Sequence, residues 1–567
     1  MIMALNAITR TAQRIVGNSG ILLSSRSSSL WTSDNIVKSP HKDVVIPNRT
    51  VVEHVWEDIL KWADKTALVC GVTNRSITYQ QLYKYSRNFA AQLRTQLKIR
   101  DGDVVCIMMP NSPEYGVAML GILEAGAEVT TINPIYTAHE VHRQLVLANP
   151  NVVIGVPSTI KVLKEALQLA QKDLPIIGLN DGTGLPSGVI SFQEFVIDSN
   201  PDLSVLKEVS KKPEDIAFLP YSSGTTGLPK GVELTNRNVV ANCVQQESDP
   251  IKFYNDTTSL NQDATLAVLP FYHIYGLVII LLHKLSAGLK VVTLPKFQPD
   301  SFLSTLKEHK IQLLCAAPPM VLFLGSHPDV KKEHLESIKT ITSGAAPLPR
   351  NDVQRVLEKV QPDTNLLQIY GLTETSPLAT AMLRGSTAYS TAGYAIANTQ
   401  LRVVDSDLRS LEPNQVGELL IRGPQVMKGY RNNPEATKAV ITEGWFRSGD
   451  LASLGKDGVV TIVDRLKELI KVKGYQVPPA ELENILKEHP AVLDAAVVGM
   501  PDKKAGEVPK AFIVKKDGVK VQPEDIIKFV AERVAEFKRI KEVTFLDELP
   551  KNPSGKILRR VLKDKYC

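Results

Sequence analysis

From Val51 onward, short β-branched runs alternate with helix-length amphipathic stretches: "DVVCIMM" precedes "SPEYGVAMLGILEAG", and "NVVIGV" precedes "IKVLKEALQLAQK". Runs this continuously apolar predict parallel strands covered by helices on both faces. "DIAFLP" reads as a strand and "LTNRNVVANCVQQ" as a helix. The expected class is α/β, a large N-terminal domain with mixed β-sheets packed with helices. The pattern changes near Val463, where "DRLKELIKVKGYQVPPAELENILKEHPAV" is highly charged and carries a proline pair. After it, "LDAAVVGMPD" and "PKAFIVKKDG" read as strands of a small, mobile α+β C-terminal domain. The expected division is 1–40 as a targeting segment, 41–463 as the large domain and 464–567 as the small one, with a hinge near 464–467.

Composition narrows the class. The chain has 567 residues, 43% hydrophobic and 22% charged, which excludes disordered and fibrous types. A net charge of +6, without a long basic run interleaved with aromatics, gives no footprint for nucleic acid. Cys70, Cys106, Cys243, Cys315 and Cys567 are widely spaced, so neither a zinc site nor a disulfide framework is expected. The apolar run from Gly276 to Leu282 is cut by His283 and Lys284. It is too short to span a bilayer and reads as a buried element.

The first residues differ from the rest. Met1 to Ser33 holds no Asp or Glu, with Arg10, Arg14 and Arg26 among many serines, and Leu5, Ile8, Ala12 and Ile15 fall at helical spacing. That is the composition of a mitochondrial transit peptide. The C-terminal "KDKYC" does not match a peroxisomal address, which leaves a cytoplasmic location as the alternative to a mitochondrial one.

The densest chemical signal is "YSSGTTGLPKG", Tyr221 to Gly231. Gly224, Gly227 and Gly231 let successive amides converge, and Ser222, Ser223, Thr225 and Thr226 add hydroxyls. With Lys230 as the cation, this forms an anion nest suited to a polyphosphate. It is not a Walker loop, because Pro229 precedes the lysine and Gly231 follows it.

This string resembles the phosphate-loop signature of the adenylate-forming superfamily, which includes acyl-CoA synthetases, 4-coumarate:CoA ligases and beetle luciferases. "LPFYHIYGL", "TSGAAPL", "QIYGLTET", "GELLIRG", "WFRSGDL", "DRLKELIKVKGYQVPPAELE" and "PKNPSGKILRR" follow in the family's order, and the resemblance spans roughly Val51 to Leu562. It implies that ATP, Mg²⁺ and coenzyme A serve the reaction of a small carboxylic acid. Glu374 then matches the magnesium-binding glutamate, Thr373 a phosphate contact, and Asp450 the ribose-binding aspartate. Arg465, Lys471 and Gln476 match positions near the nucleotide. Gly344, Ala345, Ala346, Tyr370 and Gly371 match the adenine site. Lys556 matches the lysine that bridges carboxylate and α-phosphate, offsetting their repulsion as they meet. His273 becomes the gate near the acyl carbonyl, and Tyr275 the pocket wall. Lys467 becomes the hinge; Lys473 and Gly474, and more weakly Lys296, become coenzyme A contacts.

The implied reaction joins an acid and ATP into acyl-AMP and pyrophosphate, then passes the acyl group to coenzyme A. Where the family has glycine before the tyrosine of "YGLTE", this chain has Ile369, which narrows the pocket beside the carboxylate. A medium- or long-chain fatty acid is therefore the preferred substrate; the alternatives are a hydroxycinnamate ligase and a luciferase-like oxygenase. Loading of a carrier protein and a non-catalytic nucleotide-binding role are further rivals, the latter opposed by intact Glu374, Asp450 and Lys556. No G-x-S-x-G elbow occurs, which disfavours a serine esterase.

Overall fold

The structure, a computed structural model, describes residues 30–222, 229–346, 348, 350–466, 468–472, 475–502, 505–534, 536–552 and 555–567. Among these, two nine-stranded sheets, one six-stranded sheet and one five-stranded sheet form the framework. In the first, Ile216–Leu219, Glu128–Thr131, Val104–Met108 and Val152–Gly155 run parallel, and Val104–Met108 is buried at every position. The helix Pro113–Glu124 follows, begun by Ser112, whose hydroxyl accepts the Tyr115 amide. Full burial on both faces is what the unbroken apolar runs require.

The second nine-stranded sheet is also mainly parallel, and Thr340–Ser343 lies beside Asn365–Gly371 with Ser343 opposite Gln368. The six-stranded sheet is antiparallel and carries Trp445–Leu454 against Val460–Arg465. These three sheets share one core, whose last member is Val460. A separate core begins at Ile470, under the antiparallel hairpin Val492–Asp502 and Gly506–Lys515. The molecule is thus a large α/β domain with mixed sheets and a smaller α+β domain.

Two local differences from the sequence reading have physical causes. The stretch after the glycine-rich loop is first a strand, Lys230–Thr235, antiparallel to Tyr221–Ser222, and the helix begins only at Asn236. Thr235 accepts the Asn238 amide and so sets the N-cap, and the helix starts two residues inside the string read as helical. The N-terminal segment also enters the fold earlier than residue 41. Val37 is 1% exposed and pairs with Leu401, and the Trp31 indole donates to the Gly455 carbonyl at 3.2 Å. One buried valine and one indole suffice to add an edge strand, and neither registers in a composition argument. The charged and serine-rich part, residues 1–29, lies outside the described residues.

The run Tyr275–Leu282 is π-helical and buried at all eight positions. Gly276 is required there, because a Cβ would stand 2.2 Å from the Pro270 carbonyl oxygen. No helix among the described residues is long and apolar enough to cross a membrane.

Candidate active site

The parallel pairing of Thr340–Ser343 with Asn365–Gly371 brings their carboxyl ends together, so Gly344 and the Ile369–Tyr370 pair meet at one edge. Crevices at the carboxyl ends of parallel strands are where α/β sheets bind ligands. Here the crevice is a cleft of about 940 Å³. Ser222 and Lys230 line it from the first sheet, Arg465 from the antiparallel sheet, and Asn552 and Lys556 from the small domain.

One end of the cleft is polar and tightly paired. Asp450 and Arg465 are cross-strand partners, with Arg465 Nε at 3.1 Å from Asp450 Oδ1. The Tyr370 hydroxyl donates to the other oxygen, Oδ2, at 2.7 Å. Burial raises the Asp450 pKa above the ordinary carboxylate value, opposed by Arg465, Tyr370 and Lys556. A carboxylate has lone pairs enough to keep accepting beyond these partners, so Asp450 retains capacity for vicinal hydroxyls.

Glu374 is buried, and Tyr430 donates to its Oε1 at 2.8 Å. The Lys230 ammonium sits 4.9 Å from the centre of the Tyr430 ring. Among the described residues no cluster of three or more His, Cys, Asp or Glu is placed to hold a metal ion. A divalent cation here would rest on Glu374 and on oxygens that a polyphosphate and water bring, which is how Mg²⁺ is commonly bound. The residues fit that ion.

Lys556 reaches the cleft on a tight loop. The Asn552 amide donates to the Lys556 carbonyl at 2.9 Å, and the Lys556 amide returns the bond to Asn552 Oδ1 at 2.8 Å. Gly555 has φ +83°, and a Cβ there would lie 2.7 Å from Pro319 Cδ in the large domain. Both facts select glycine, and the second ties the lysine loop to the large domain. Burial lowers the Lys556 pKa to about 8, helped by Arg465 and opposed by Glu468 and Asp450. Behind it, Arg559 clamps Glu483 at 2.7 Å and Glu468 at 2.5 Å.

The other end of the cleft is apolar. Tyr275, Ile279, Ile369 and Leu378 line it beside His273. A Cβ on Gly344 would be 3.0 Å from Ile369 Cγ1 and 3.5 Å from Tyr275 Cε1, so these three residues are closely stacked. The Tyr275 hydroxyl lies 3.4 Å from the Thr342 carbonyl oxygen. Desolvation lowers the His273 pKa to about 4, so the ring is neutral near pH 7, and its Nδ1 accepts the Tyr275 amide at 3.3 Å.

The structure brings together Ser222, Lys230, His273, Tyr275, Gly344, Ala345, Ile369, Tyr370, Gly371, Thr373, Glu374, Arg465 and Lys556 along the cleft, with Asp450 behind Tyr370 and Arg465. Ala346 does not line it. Lys471 and Lys296 are exposed and outside it; the Lys471 amide donates to Glu507 instead, at 2.8 Å. Gln476 pairs with Lys471 through the backbone. Ser223, Gly224, Thr225, Thr226, Gly227, Lys467, Lys473 and Gly474 lie outside the described residues. Sequence reasoning missed Tyr430, which stands in a two-residue strand with no periodic signal; its one cue is an aromatic in the glycine-turn string "KGYRN".

Residues 55–431 match the AMP-binding enzyme family, and residues 481–556 match the AMP-binding enzyme C-terminal domain. 4-Coumarate–CoA ligase 3 of Oryza sativa subsp. japonica is 40% identical over 543 residues, covering 94% of this chain and 95% of the relative. 4-Coumarate–CoA ligase 1 of Petroselinum crispum is 39% identical, covering 94% and 97%. The solved structure of ATP-bound MatB from Rhodopseudomonas palustris superposes with a TM-score of 0.81 at 26% identity, covering 92% of this chain and 99% of that one. The o-succinylbenzoate CoA synthetase MenE from Bacillus subtilis, in complex with its acyl-adenylate intermediate, superposes with a TM-score of 0.75 at 27% identity, covering 91% and 99%. By sequence along most of its length and by the fold of both domains, the chain belongs to the AMP-binding enzyme family.

Proposed function

We infer that this ATP-dependent, AMP-forming acid–CoA ligase, which uses ATP, Mg²⁺ and coenzyme A, acts on a planar aryl-propenoic acid of the 4-coumarate kind. The observation that carries the reading is the close stack of Gly344, Ile369 and Tyr275, which narrows the apolar end of the cleft to a slot. A flat conjugated acid fills such a slot without bending. The names of the relatives given above point the same way.

In this reading Asp450 holds the ribose hydroxyls, already oriented by Tyr370 and Arg465. Lys556 stands where carboxylate and α-phosphate must touch. A carboxylate oxygen bonds to the α-phosphorus as the α–β bridge breaks, releasing pyrophosphate. Mg²⁺, when bound, neutralises phosphate charge beside Glu374. The thiol sulfur of coenzyme A then bonds to the acyl carbon, its proton leaves, and AMP departs. Neutral His273, beside the acyl end, positions by hydrogen bonding and adds no charge.

A medium- or long-chain fatty acid is the second reading, carried by the β-branched Ile369, which a flexible chain can bend past. A pyrophosphate-release screen over aryl-propenoic and fatty acids, with and without coenzyme A, separates the two. Highest kcat/KM on an aryl-propenoate supports the first; a preference rising with aliphatic chain length overturns it in favour of the second.

A further inference from the structure

Beneath the polar end of the cleft, a very short strand carries much of the site. Gly429–Tyr430 pairs antiparallel with the middle of Lys230–Thr235, Tyr430 opposite Val232 and Gly429 opposite Glu233. From the same segment the Met427 amide donates to the Glu374 carbonyl at 2.8 Å, and the Tyr430 hydroxyl donates to the Glu374 carboxylate at 2.8 Å. Both the backbone and the side chain of Glu374 are therefore held from here. Two paired residues are too few to keep their own register, since even a full isolated hairpin is marginal in water.

The anchor is Arg431, next in the chain. Successive side chains of an extended segment point to opposite sides. Tyr430 accordingly lines the cleft and Arg431 does not. The Arg431 amide donates to the Gly231 carbonyl at 2.9 Å. Its guanidinium reaches two carboxylates on different strands: Nε pairs with Glu233, and Nη2 lies 2.5 Å from Glu128. Glu128 opens the strand Glu128–Thr131 of the parallel sheet and is 7% exposed. Burial raises its pKa, and the hydrogen bond and charge of Arg431 lead the opposition to that shift. A planar fork set between two acids fixes position as well as charge, which a flexible ammonium does less well.

We propose that Arg431 is a positioning residue for the nucleotide end. By tying Gly429–Tyr430 to Glu128 and Glu233 it sets where the Tyr430 hydroxyl stands, and through it the rotamer in which Glu374 meets the cation of bound magnesium nucleotide. Arg431 does not reach the cleft, so it acts only through Tyr430 and Glu374. The inference rests on the reading of Glu374 as the magnesium-binding carboxylate and is independent of which acid the enzyme takes. A glutamate side chain has several rotatable bonds, whereas a working ligand must be held to about 0.5 Å. Losing the partners behind a metal ligand lowers metal affinity or activity by about tenfold to a hundredfold.

The test uses the full-length enzyme with ATP alone, before any acid is added. Calorimetry gives the ATP affinity with Mg²⁺ and with EDTA, and the ratio of the two measures the gain that the cation brings. Wild type is expected to bind ATP more tightly with Mg²⁺, and Glu374→Gln to lose that gain. Arg431→Met and Tyr430→Phe should each cut the gain by about tenfold while leaving the affinity in EDTA unchanged. The double variant should lose little more than either, because the two residues act in series. Arg431→Lys, which keeps the charge but not the fork, should recover part of the gain. Arg431→Met leaves two acids facing each other, so the neutral triple variant Arg431→Met/Glu128→Gln/Glu233→Gln is measured beside it, with melting temperatures to report folding. It should show the same loss. A normal gain in the Arg431 variants beside a lost one in Glu374→Gln overturns the positioning role and leaves Glu374 in place. Equal loss of ATP affinity with Mg²⁺ and with EDTA also overturns it, since the tie would then serve the fold alone. A gain that is absent in wild type, or that survives Glu374→Gln, overturns the reading of Glu374 and the inference with it.

Discussion

The two ends of the cleft are built on opposite principles. At the nucleotide end, buried carboxylates have partners drawn from other elements, Asp450 with Arg465 and Tyr370 and Glu374 with Tyr430, while the backbone of Lys556 is fixed by Asn552 within its own loop. At the acyl end, Ile279, Ile369 and Leu378 hold the wall by packing alone. The first arrangement fixes atoms to a fraction of an ångström and tolerates little change, because removing one partner strands another buried charge. The second fixes only a shape, and shape can be altered one side chain at a time. One family can therefore keep its activation chemistry while varying its acids.

Substitutions at the two ends should accordingly differ in kind. The largest effect is expected at Lys556. Lys556→Ala removes the cation between two anions and should slow adenylate formation by about a hundredfold to a thousandfold. Thioester formation from supplied acyl-adenylate should be largely kept, since that step does not bring carboxylate to phosphate. Single-turnover measurement of each half-reaction decides; equal loss in both would show that Lys556 serves the fold of the cleft. Next comes Asp450→Asn, which weakens the pair with Arg465 and the acceptor for Tyr370. KM for ATP should rise about tenfold to a hundredfold, with kcat for the acid less affected. An unchanged ATP dependence would remove Asp450 from the ribose site.

The pH dependence separates the two ends further. Burial lowers the Lys556 pKa to about 8, below the ordinary lysine value of 10.5. The charged form is the useful one, so kcat/KM for adenylation should fall as pH rises through about 8, by about tenfold per unit beyond it. In the saturated complex the limb should move upward, because bound triphosphate favours the ammonium. The pocket wall titrates nowhere in this range. Acid selectivity, the ratio of kcat/KM for two acids, should stay flat across the same pH series. A selectivity that tracks the limb would break the separation between the two ends.

How much of this was legible in the sequence follows the same division. Strand–helix alternation gave the α/β class because buried parallel strands must be continuously apolar, and Val104–Met108 is. Asp450 and Arg465 were readable as separate motif residues; their pairing was not, since it depends on the register of two antiparallel strands. Lys471 shows the converse, for it stands in a matching string and yet is exposed, with its amide bonded to Glu507. The acyl wall was least legible. All eight residues of Tyr275–Leu282 are buried, so no amphipathic contrast marks which of them face the cleft. His283 and Lys284 were read only as an interruption of an apolar run. What they do depends on Glu247 and Tyr254, some thirty residues upstream, and no local pattern connects them.

The smallest expected effect tests the acyl end directly. Ile369 stands in a strand, half-buried, with its Cγ1 at the edge of the space above Gly344. Ile369→Gly removes that wall and widens the slot. The activation chemistry is untouched, so kcat on the preferred acid should change by only a few-fold. Glycine within a strand costs about 0.5–1 kcal/mol, and lost packing adds to it. Bulkier acids, such as ring-substituted cinnamates, should gain several-fold in kcat/KM, and the gain should lie in KM. If the range of accepted acids does not broaden, Ile369 is not the width-limiting residue. The narrow dimension of the slot would then be set by Tyr275 and Gly344, where the Tyr275 hydroxyl meets the Thr342 carbonyl on the strand that leads into Gly344.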